Sequence, residues 1–476
     1  MDNKIDIKRI LERDWYIQGF NANPIFLNLG GWSGIELKNK LGFGYTSFII
    51  DYKNGYAEYG YLKSDIASVY HATKKRLKND KNYLIKVKSE YDKIYANHAR
   101  FFNEINSTNI KNTSDDELLI LFKGCSQAQT DSVGLGHLVD AVGIELEKEL
   151  KIKLIKKFIN QKKINKIFSK ITTPSKLSFI AQEEKELLKI KKINGKNIHI
   201  ALENHFNKYF WIQNSYVAPF NLTINDFIQK LDRLHENKTN KKRFNKSKLF
   251  KDLRLDSQTK EMVGLIDFVT IWQDQRKANI LKSVSYLGKI IKEISIRTKI
   301  SQNILYQMGL SDIKLINKID DILGLEECLM NRITGVLFIL ENDKEYVIEG
   351  NDYRAILLEK NKLLDTSNMS EGDLHGSIAN PGTAIGKAVI CKGIESLKKV
   401  KVGDIIVASM TRPEFMPSLR KAVGIVTDEG GITCHAAIVA RELGIPAIIG
   451  TKIATRVFKD GDIIELKANH GIVRKL

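Results

Sequence analysis

The chain is poor in cysteine, in proline and in long apolar runs. Its 476 residues include four cysteines, whose spacing resembles neither a metal site nor a disulfide framework. No run of about 18 uncharged apolar residues occurs, so a membrane span is not expected. The first residues are charged and lack the apolar stretch of a signal peptide. We therefore expect a cytoplasmic protein.

Acidic residues are fewer than basic ones, which gives a formal net charge of +19. The lysines are spread along the whole chain among isoleucine and asparagine, and no nucleic-acid recognition motif accompanies them. Nucleic-acid binding is therefore not expected, whereas anionic phosphate substrates would be attracted by such a charge. A hydrophobic fraction of 43% indicates a globular protein. Its length allows roughly two to four domains.

Residues 1–365 are predicted to form a large, mostly helical region, with short extended pieces near the start and near residue 345. Ser114 to Glu117 has the spacing of a helix-capping box. The clearest helix is predicted over residues 258–297, where apolar residues recur at three- and four-residue steps. Residues 29–34 are rich in glycine but lack the lysine of a phosphate-binding loop, and are predicted to form a turn.

The amino-acid composition changes after residue 365. Residues 366–382 are polar and rich in Gly, Ser and Asn, which is typical of a linker. Residues 383–476 are predicted to form a compact α/β domain. Its expected strands are residues 385–391, 404–408, 424–427, 447–450 and 462–466, with one helix at 436–443.

One segment of this domain, residues 427–437, joins a predicted strand to that helix and carries the candidate chemistry. Gly430 and Gly431 allow a tight turn close to an anion. His435 follows at the helix N-terminus, where free amide groups and the helix dipole favour a bound phosphoryl group. A neutral imidazole is a competent nucleophile near pH 7. Thr433 and Arg441 are candidates for holding the phosphate or orienting the ring.

The sequence around His435 carries more motifs than a histidine that only caps a helix would need. Residues 411–417, 422–427 and 430–447 closely resemble the mobile phosphohistidine domain of phosphoenolpyruvate synthase, pyruvate phosphate dikinase and rifampicin phosphotransferase. Residues 376–386 resemble the start of that domain, so the similarity covers about residues 374–476. The resemblance implies a multidomain α and α/β protein in which the helical region precedes a swivelling β/β/α phosphohistidine domain.

In that family the histidine takes a phosphoryl group at one active site and delivers it at another. The resemblance therefore implies that His435 is the phosphocarrier, supported by Gly430, Gly431, Thr433 and Arg441. It implies no metal site in this chain and no covalent cofactor besides the phosphate on His435.

Signatures of the family's nucleotide-binding ATP-grasp domain and of its phosphoenolpyruvate-binding barrel are not recognisable. The layout resembles rifampicin phosphotransferase and the glutamine kinases without their ATP-grasp part. We therefore expect a phosphotransferase of the dikinase type that is incomplete alone. A separate ATP-grasp protein would supply the phosphoryl group from ATP and Mg, with phosphoenolpyruvate as the alternative donor. The helical region would hold a small-molecule acceptor.

Two other interpretations remain open. The chain could be a non-catalytic phosphocarrier or regulatory module whose helical region docks to partner proteins, or a degenerate relative whose histidine is no longer used. Residues 209–211, Tyr216 and Trp272 could line an acceptor pocket, but an aromatic cluster of this kind is more often core. His205 is likewise expected to be structural.

Overall fold

The computed structural model describes residues 6–158, 161–193, 197–234, 246–341, 343–363, 373–431 and 434–476. The chain divides into two compact units, each built from two separate stretches. The first unit comprises Met1–Val142 with Lys289–Leu364, and the second comprises Gly143–Gly288 with Asp365–Leu476. The residues predicted as one helical region thus contribute to both units. The predicted boundaries at residues 365 and 382 remain predictions.

Most helices precede residue 365, and most strands follow it. The α-helices, numbered in chain order, are α1 Ile7–Leu11, α2 Pro24–Leu41, α3 Lys63–Asn79, α4 Tyr83–Ser107, α5 Asp115–Val133, α6 Leu138–Lys157, α7 Gln161–Ile171, α8 Phe179–Ile190, α9 Asn197–Tyr209, α10 Ile224–Arg233, α11 Lys246–Asp252, α12 Ser257–Thr298, α13 Gln302–Leu305, α14 Leu310–Leu315, α15 Ile319–Leu323, α16 Glu326–Thr334, α17 Gly350–Leu363, α18 Ile394–Leu397, α19 Met416–Leu419, α20 His435–Leu443 and α21 Ala454–Val457. The strands are β1 Trp15–Asn21, β2 Ser47–Lys53, β3 Tyr56–Leu62, β4 Val336–Glu341, β5 Lys344–Glu349, β6 Leu374–His375, β7 Ser377–Asn380, β8 Thr383–Cys391, β9 Ile405–Ala408, β10 Gly424–Thr427, β11 Ala447–Ile449, β12 Ile463–Lys467 and β13 Ile472–Lys475.

The first unit contains a five-stranded antiparallel sheet in the order β1-β3-β2-β4-β5. The extended pieces expected near the start and near residue 345 are strands of this one sheet. Asn54 and Gly55 form the turn between β2 and β3, with φ angles of 49° and 84°. An Asn-Gly pair adopts positive φ at low cost, which makes this dipeptide a strong hairpin signal.

The prediction of a turn at residues 29–34 is wrong, because these residues lie inside α2. Their glycines serve packing between the helix and the sheet. A Cβ atom on Gly31 would lie 2.8 Å from the ring of Phe48, and one on Gly34 would lie 3.0 Å from the Cβ of Tyr45. The missing side chains let α2 lie close against β2, which offsets the low helix propensity of glycine.

The second unit contains an eight-stranded sheet in the order β6-β13-β12-β8-β9-β10-β11-β7. Strands β8, β9, β10 and β11 are parallel neighbours, and the outer strands pair antiparallel. All residues of β9 and β10 are buried, as expected for parallel strands covered on both faces. Strands β6 and β7 lie within the predicted linker, so residues 374–380 belong to this sheet. Residues 366–372 lie outside the described residues.

A single apolar cluster joins one face of this sheet to the helices of the same unit. Trp211 and Phe227 come from the helical stretch, whereas Ile406, Ile425 and Ala437 come from β9, β10 and α20. Burial of aromatic and aliphatic side chains of this kind is the main term that holds such elements together. The predicted architecture, a mostly helical N-terminal region before a strand-containing C-terminal domain, is confirmed. Swivelling of that domain remains a prediction.

Helix α12 confirms the strongest periodic signal in the sequence. The pattern predicts a helix over residues 258–297, and α12 spans Ser257–Thr298 with Trp272 fully buried. The predicted capping box is also confirmed, because Ser114 and Glu117 form it at the start of α5. Gly444 ends α20 in the left-handed conformation with φ 72°.

Two glycines in α12 give opposite predictions for alanine substitution. Gly264 is exposed and nothing lies within 4 Å of a Cβ placed there, whereas a Cβ on Gly288 would overlap the ring of Pro219. Gly264→Ala is expected to raise the free energy of unfolding by about 1 kcal/mol through helix propensity. Gly288→Ala is expected to lower it by about 1–3 kcal/mol through overpacking. Urea unfolding checks both, and equal effects would contradict the packing described for this helix.

Candidate active site

The candidate site lies where two neighbouring parallel strands end. Beyond β9 and β10 the chain segments stay paired, since the amide of Asp428 donates to the carbonyl of Ala408 at 3.0 Å and that of Glu429 donates to Ser409 at 2.9 Å. Loops that leave the carboxyl ends of adjacent parallel strands form the usual crevice for ligands in such sheets. The segment that carries His435 therefore starts from a fixed position on the sheet.

Asp428 anchors this starting point. Its buried carboxylate accepts a hydrogen bond from the amide of Thr455 at 3.1 Å, from the hydroxyl of Thr455, and from the hydroxyl of Thr451 at 3.3 Å. Hydrogen bonds to a carboxylate are stronger than those between neutral groups. No sequence pattern signals this role, because the partners lie more than 20 residues along the chain.

The glycine pair forms a close turn next to the histidine. Gly430 has a φ of 111°, and a Cβ there would lie 2.8 Å from the sulfur of Cys434. A Cβ on Gly431 would lie 2.8 Å from Oε2 of Glu147 on α6, in the same unit. Only glycine fits both conditions without displacing a neighbour. Thr433, predicted to support the phosphate, lies outside the described residues together with Ile432.

His435 is the first residue of α20, directly after its N-cap Cys434. Its Nδ1 atom lies 2.9 Å from the hydroxyl oxygen of Thr411, which follows β9. Its Nε2 atom is buried and has no hydrogen-bond partner among the described residues. One ring nitrogen is therefore held by the protein. Thr411 belongs to the stretch that carries the family resemblance, but the sequence assigned it no role.

Electrostatics keep the His435 ring neutral. Burial is the main cause that lowers the pKa of His435 well below its ordinary value, and the positive charge of Lys277 lowers it further. An imidazole with a depressed pKa has lost its proton at pH 7, so its free nitrogen can act as a nucleophile. The pKa of the Cys434 thiol is raised to about 11, mainly by burial, so this residue stays protonated and adds packing.

Lys277 on α12 is the cation whose charge lowers the pKa of His435, and it belongs to the same unit. Burial is the largest cause that lowers the pKa of Lys277 to about 8, with Glu414 raising it and Arg412 lowering it. Asp274 lies one turn before Lys277, and burial raises the pKa of its carboxyl to about 7. Only the fold reveals this cluster, since α12 is far from His435 in the sequence.

Arg441, predicted to reach the phosphate, lies on a later turn of α20. Its Nε atom donates a hydrogen bond to the carbonyl of Ala379 on β7 at 3.0 Å. Burial lowers the pKa of Arg441 to about 10, and the negative charge of Glu147 partly offsets that effect. The structure thus shows Arg441 joining the helix to the edge of the sheet. Its role at the phosphate remains a prediction.

The aromatic residues considered for an acceptor pocket are largely core. Tyr209, Trp211 and Trp272 are all buried. His205 is buried as well, and its Nε2 atom lies 3.1 Å from a carboxylate oxygen of Glu183, which also binds Lys230. Buried polar groups that are paired in this way are typical of a structural role. The structural interpretation of His205 is therefore the better one.

The described residues offer neither a membrane span nor a metal site of acidic, histidine and cysteine side chains. Across the described stretches, every helix is too short or too polar to pass through a bilayer. Over the same residues, no cluster of three or more His, Cys, Asp and Glu side chains has a geometry that could hold a metal ion.

Similarity to known proteins concerns mainly the C-terminal part. Residues 400–471 match the family described as PEP-utilising enzyme, mobile domain. A probable phosphoenolpyruvate synthase of Archaeoglobus fulgidus is 43% identical over 141 residues, which are 29% of this chain and 19% of the relative. A probable phosphoenolpyruvate synthase of Methanothermobacter thermautotrophicus is 50% identical over 95 residues, which are 20% of this chain and 14% of the relative. The matched segments thus span less than a fifth of either relative.

Among solved structures, that of an Enzyme I protein aligns with 75% of this chain and 77% of its own, at 15% identity and a TM-score of 0.18. A score this low carries no argument about fold or function. The family resemblance therefore depends on the sequence matches, and its location agrees with the site geometry. Residues 400–471, which include His435, match the mobile domain of the PEP-utilising enzymes, and the predicted recognition is confirmed.

Proposed function

We propose that this chain is a phosphotransferase component that carries a phosphoryl group on Nε2 of His435. A separate ATP-grasp protein loads the group from ATP, and the helices of residues 143–288 present an acceptor. The observation that carries the proposal is the buried Nε2 atom at the start of α20, which has no partner among the described residues. The match of residues 400–471 to a phosphotransfer family supports the same conclusion.

The hydrogen bond to Thr411 explains why Nε2 is the nucleophile. A neutral imidazole has one proton, and in this proposal Nδ1 carries it and donates it to the Thr411 hydroxyl across 2.9 Å. The lone pair then lies on Nε2, which is free to attack a phosphorus atom. The N-terminus of α20 favours the negative charge that arrives with the phosphoryl group.

Phosphoryl transfer depends mainly on positioning and on the stabilisation of charge. The positive charge of Lys277 acts on His435, and Arg412 follows Thr411, whose hydroxyl contacts the His435 ring. Charges in a partly buried site act more strongly than charges in water. The site can therefore stabilise a phosphoryl group without a metal ligand of its own. ATP and Mg belong, in this proposal, to the partner, and phosphoenolpyruvate is the alternative donor.

Phosphate is expected on His435 and on no other histidine. Protein incubated with an ATP-grasp partner and ATP labelled at the β or γ position is expected to gain acid-labile, alkali-stable label, and His435→Ala is expected to gain none. His205→Ala serves as a control histidine, since its ring is bound to Glu183. Label without a partner would contradict the need for a separate nucleotide-binding protein. Absence of label from both ATP and phosphoenolpyruvate would refute the proposal.

The Thr411 hydroxyl is expected to set the rate of loading. Thr411→Val keeps the shape of the buried side chain but removes the partner of Nδ1, so the proton is no longer fixed there. The loss of one hydrogen bond of about 1 kcal/mol corresponds to a five- to tenfold slower phosphorylation. Thr411→Ser retains the hydroxyl and is expected to retain most of the rate. Nitrogen NMR of the ring should show mixed tautomers only in the valine variant, and an unchanged rate there would contradict the assigned tautomer.

A further inference from the structure

A polar cluster in the first unit joins α2 to α5. Glu36 and Lys40 lie one turn apart on the same face of α2, and Gln127 and Asp131 lie one turn apart on the same face of α5. The amide of Gln127 donates to Oε1 of Glu36 at 3.0 Å. One turn further along both helices, Nζ of Lys40 lies 3.8 Å from Oδ1 of Asp131. These two contacts bring the carboxyl groups of Glu36 and Asp131 into one cluster.

His98 on α4 connects a third helix to the cluster. Its Nε2 atom lies 2.8 Å from Oδ2 of Asp131, and the side chains of His98 and Asp131 are only 17% and 11% exposed. Asp131 therefore has a neighbouring nitrogen at each of its oxygens, from Lys40 at Oδ1 and from His98 at Oδ2.

Glu36 is less well satisfied than Asp131. Its Oε2 atom is buried and has no hydrogen-bond donor within the part of the chain that the structure describes. An ionised carboxylate can only accept hydrogen bonds, so a buried oxygen without a donor is costly. A protonated Glu36 can instead donate, and the carboxylate of Asp131 is the neighbouring acceptor. The geometry thus favours a protonated Glu36 next to an ionised Asp131.

The electrostatics of the two carboxyl groups agree with this geometry. Burial is the main cause that raises the pKa of Glu36 to about 7, and the charge of Asp131 and a hydrogen bond with Asp131 raise it further. Burial also acts to raise the pKa of Asp131, but hydrogen bonds with His98 and Glu36 and the charge of Lys40 outweigh it and lower that pKa. Two carboxyl groups that share one proton are separated in this way.

We propose that Glu36 and Asp131 share one proton and that this proton holds α2 against α5, which makes the packing of the first unit sensitive to pH. Ionisation of Glu36 places two carboxylates side by side, and their repulsion weakens the contact between the helices. The proton is exchanged with solvent, and no other bond is made or broken. The inference does not depend on phosphate on His435, so it stands or falls separately from the proposed function.

The groups that act on this carboxyl pair are those of the cluster itself: Lys40 from α2, Gln127 from α5 and His98 from α4. Charged or titratable side chains of the other elements packed on α2 have different surroundings. In the segment Gly134–His137, in α14 and in β2 these are His137 against Ser33, Asp312 against Arg332, Lys314 over the ring of Trp32, Asp51 against Tyr353, and the exposed Lys53.

The expected pH dependence has a defined sign. Glu36 holds its proton more tightly when α2 and α5 are packed than when they are apart, where its pKa returns to the ordinary value of 4.5. The stabilisation is therefore complete below pH 4.5, is lost as the pH rises from 4.5 to about 7, and changes no further above that. Within this window the loss amounts to at most about tenfold per pH unit in the opening equilibrium.

Hydrogen exchange of the full chain tests the proposal. Protection of the backbone amides of α2 and α5 is measured by mass spectrometry between pH 5 and pH 8 and corrected for the intrinsic exchange rate. In the wild-type protein it is expected to fall at least tenfold from pH 5 to pH 7 and to stay constant from pH 7 to pH 8. Glu36→Gln places an amide donor beside Asp131 at every pH, so its protection is expected to be the same throughout.

Three further variants separate the carboxyl pair from other titrating groups. Asp116→Asn is the matched control, because Asp116 is an exposed carboxylate on α5, and it is expected to show the wild-type loss. His98→Gln keeps an N–H group for Asp131 without a titrating ring, and it is expected to show the same loss. Asp131→Asn gives Glu36 a donor and removes the neighbouring charge, so the loss is expected to move to lower pH.

The outcomes that contradict the proposal are specific. Wild-type protection that does not change between pH 5 and pH 7 would overturn it, as would a Glu36→Gln variant that loses protection like the wild type. Disappearance of the loss in His98→Gln would assign the titration to the imidazole instead and would also overturn it.

Discussion

The hydrogen bond between Thr411 and Nδ1 of His435 is the contact on which the site depends. It joins the segment after β9 to the first residue of α20, and so links two neighbouring strand ends. With Nδ1 held, the ring is fixed in orientation, and its Nε2 atom has no partner within the part of the chain that the structure describes. The glycine pair and Asp428 fix the backbone that brings the ring to this position.

Loading with phosphate changes the electrostatics around this ring. A buried imidazole near a lysine loses its proton easily, and the resulting lone pair is useful only if a phosphoryl donor reaches it. The positive charge of Lys277 disfavours the protonated ring. The same charge would favour the dianionic phosphoryl group of the proposed loaded state. In the proposed loaded state, the negative charge of the phosphoryl group would offset the positive charge of Lys277 that acts on His435.

Features that depend on nearby residues are predictable from the sequence. The glycine turn, the histidine at a helix start, the end of α20 at Gly444 and the length of α12 all follow from patterns within a few residues. Strands β8 to β12 agree with the predicted strands to within two residues, because their apolar runs are short and bounded by turn residues. The prediction of a turn at the glycines of α2 was wrong because these glycines make room for Phe48 and Tyr45, which lie outside that helix.

The features that could not be predicted depend on contacts between residues far apart in the sequence. Asp274 and Lys277 lie about 160 residues before His435, a separation at which composition and periodicity carry no signal. Their pKa values depend on burial, which a sequence pattern does not specify. Likewise, the grouping of residues 143–288 with the C-terminal sheet reflects one shared apolar cluster rather than any linker composition.

The proposed function requires that phosphate resides on one particular nitrogen of one histidine. Phosphorus and nitrogen NMR of protein loaded through an ATP-grasp partner is the decisive experiment, because the two phosphohistidine isomers give different signals. We expect a single species bonded to Nε2 of His435, with Nδ1 still in contact with Thr411. Phosphate on Nδ1, or on any other residue, would contradict the proposed mechanism.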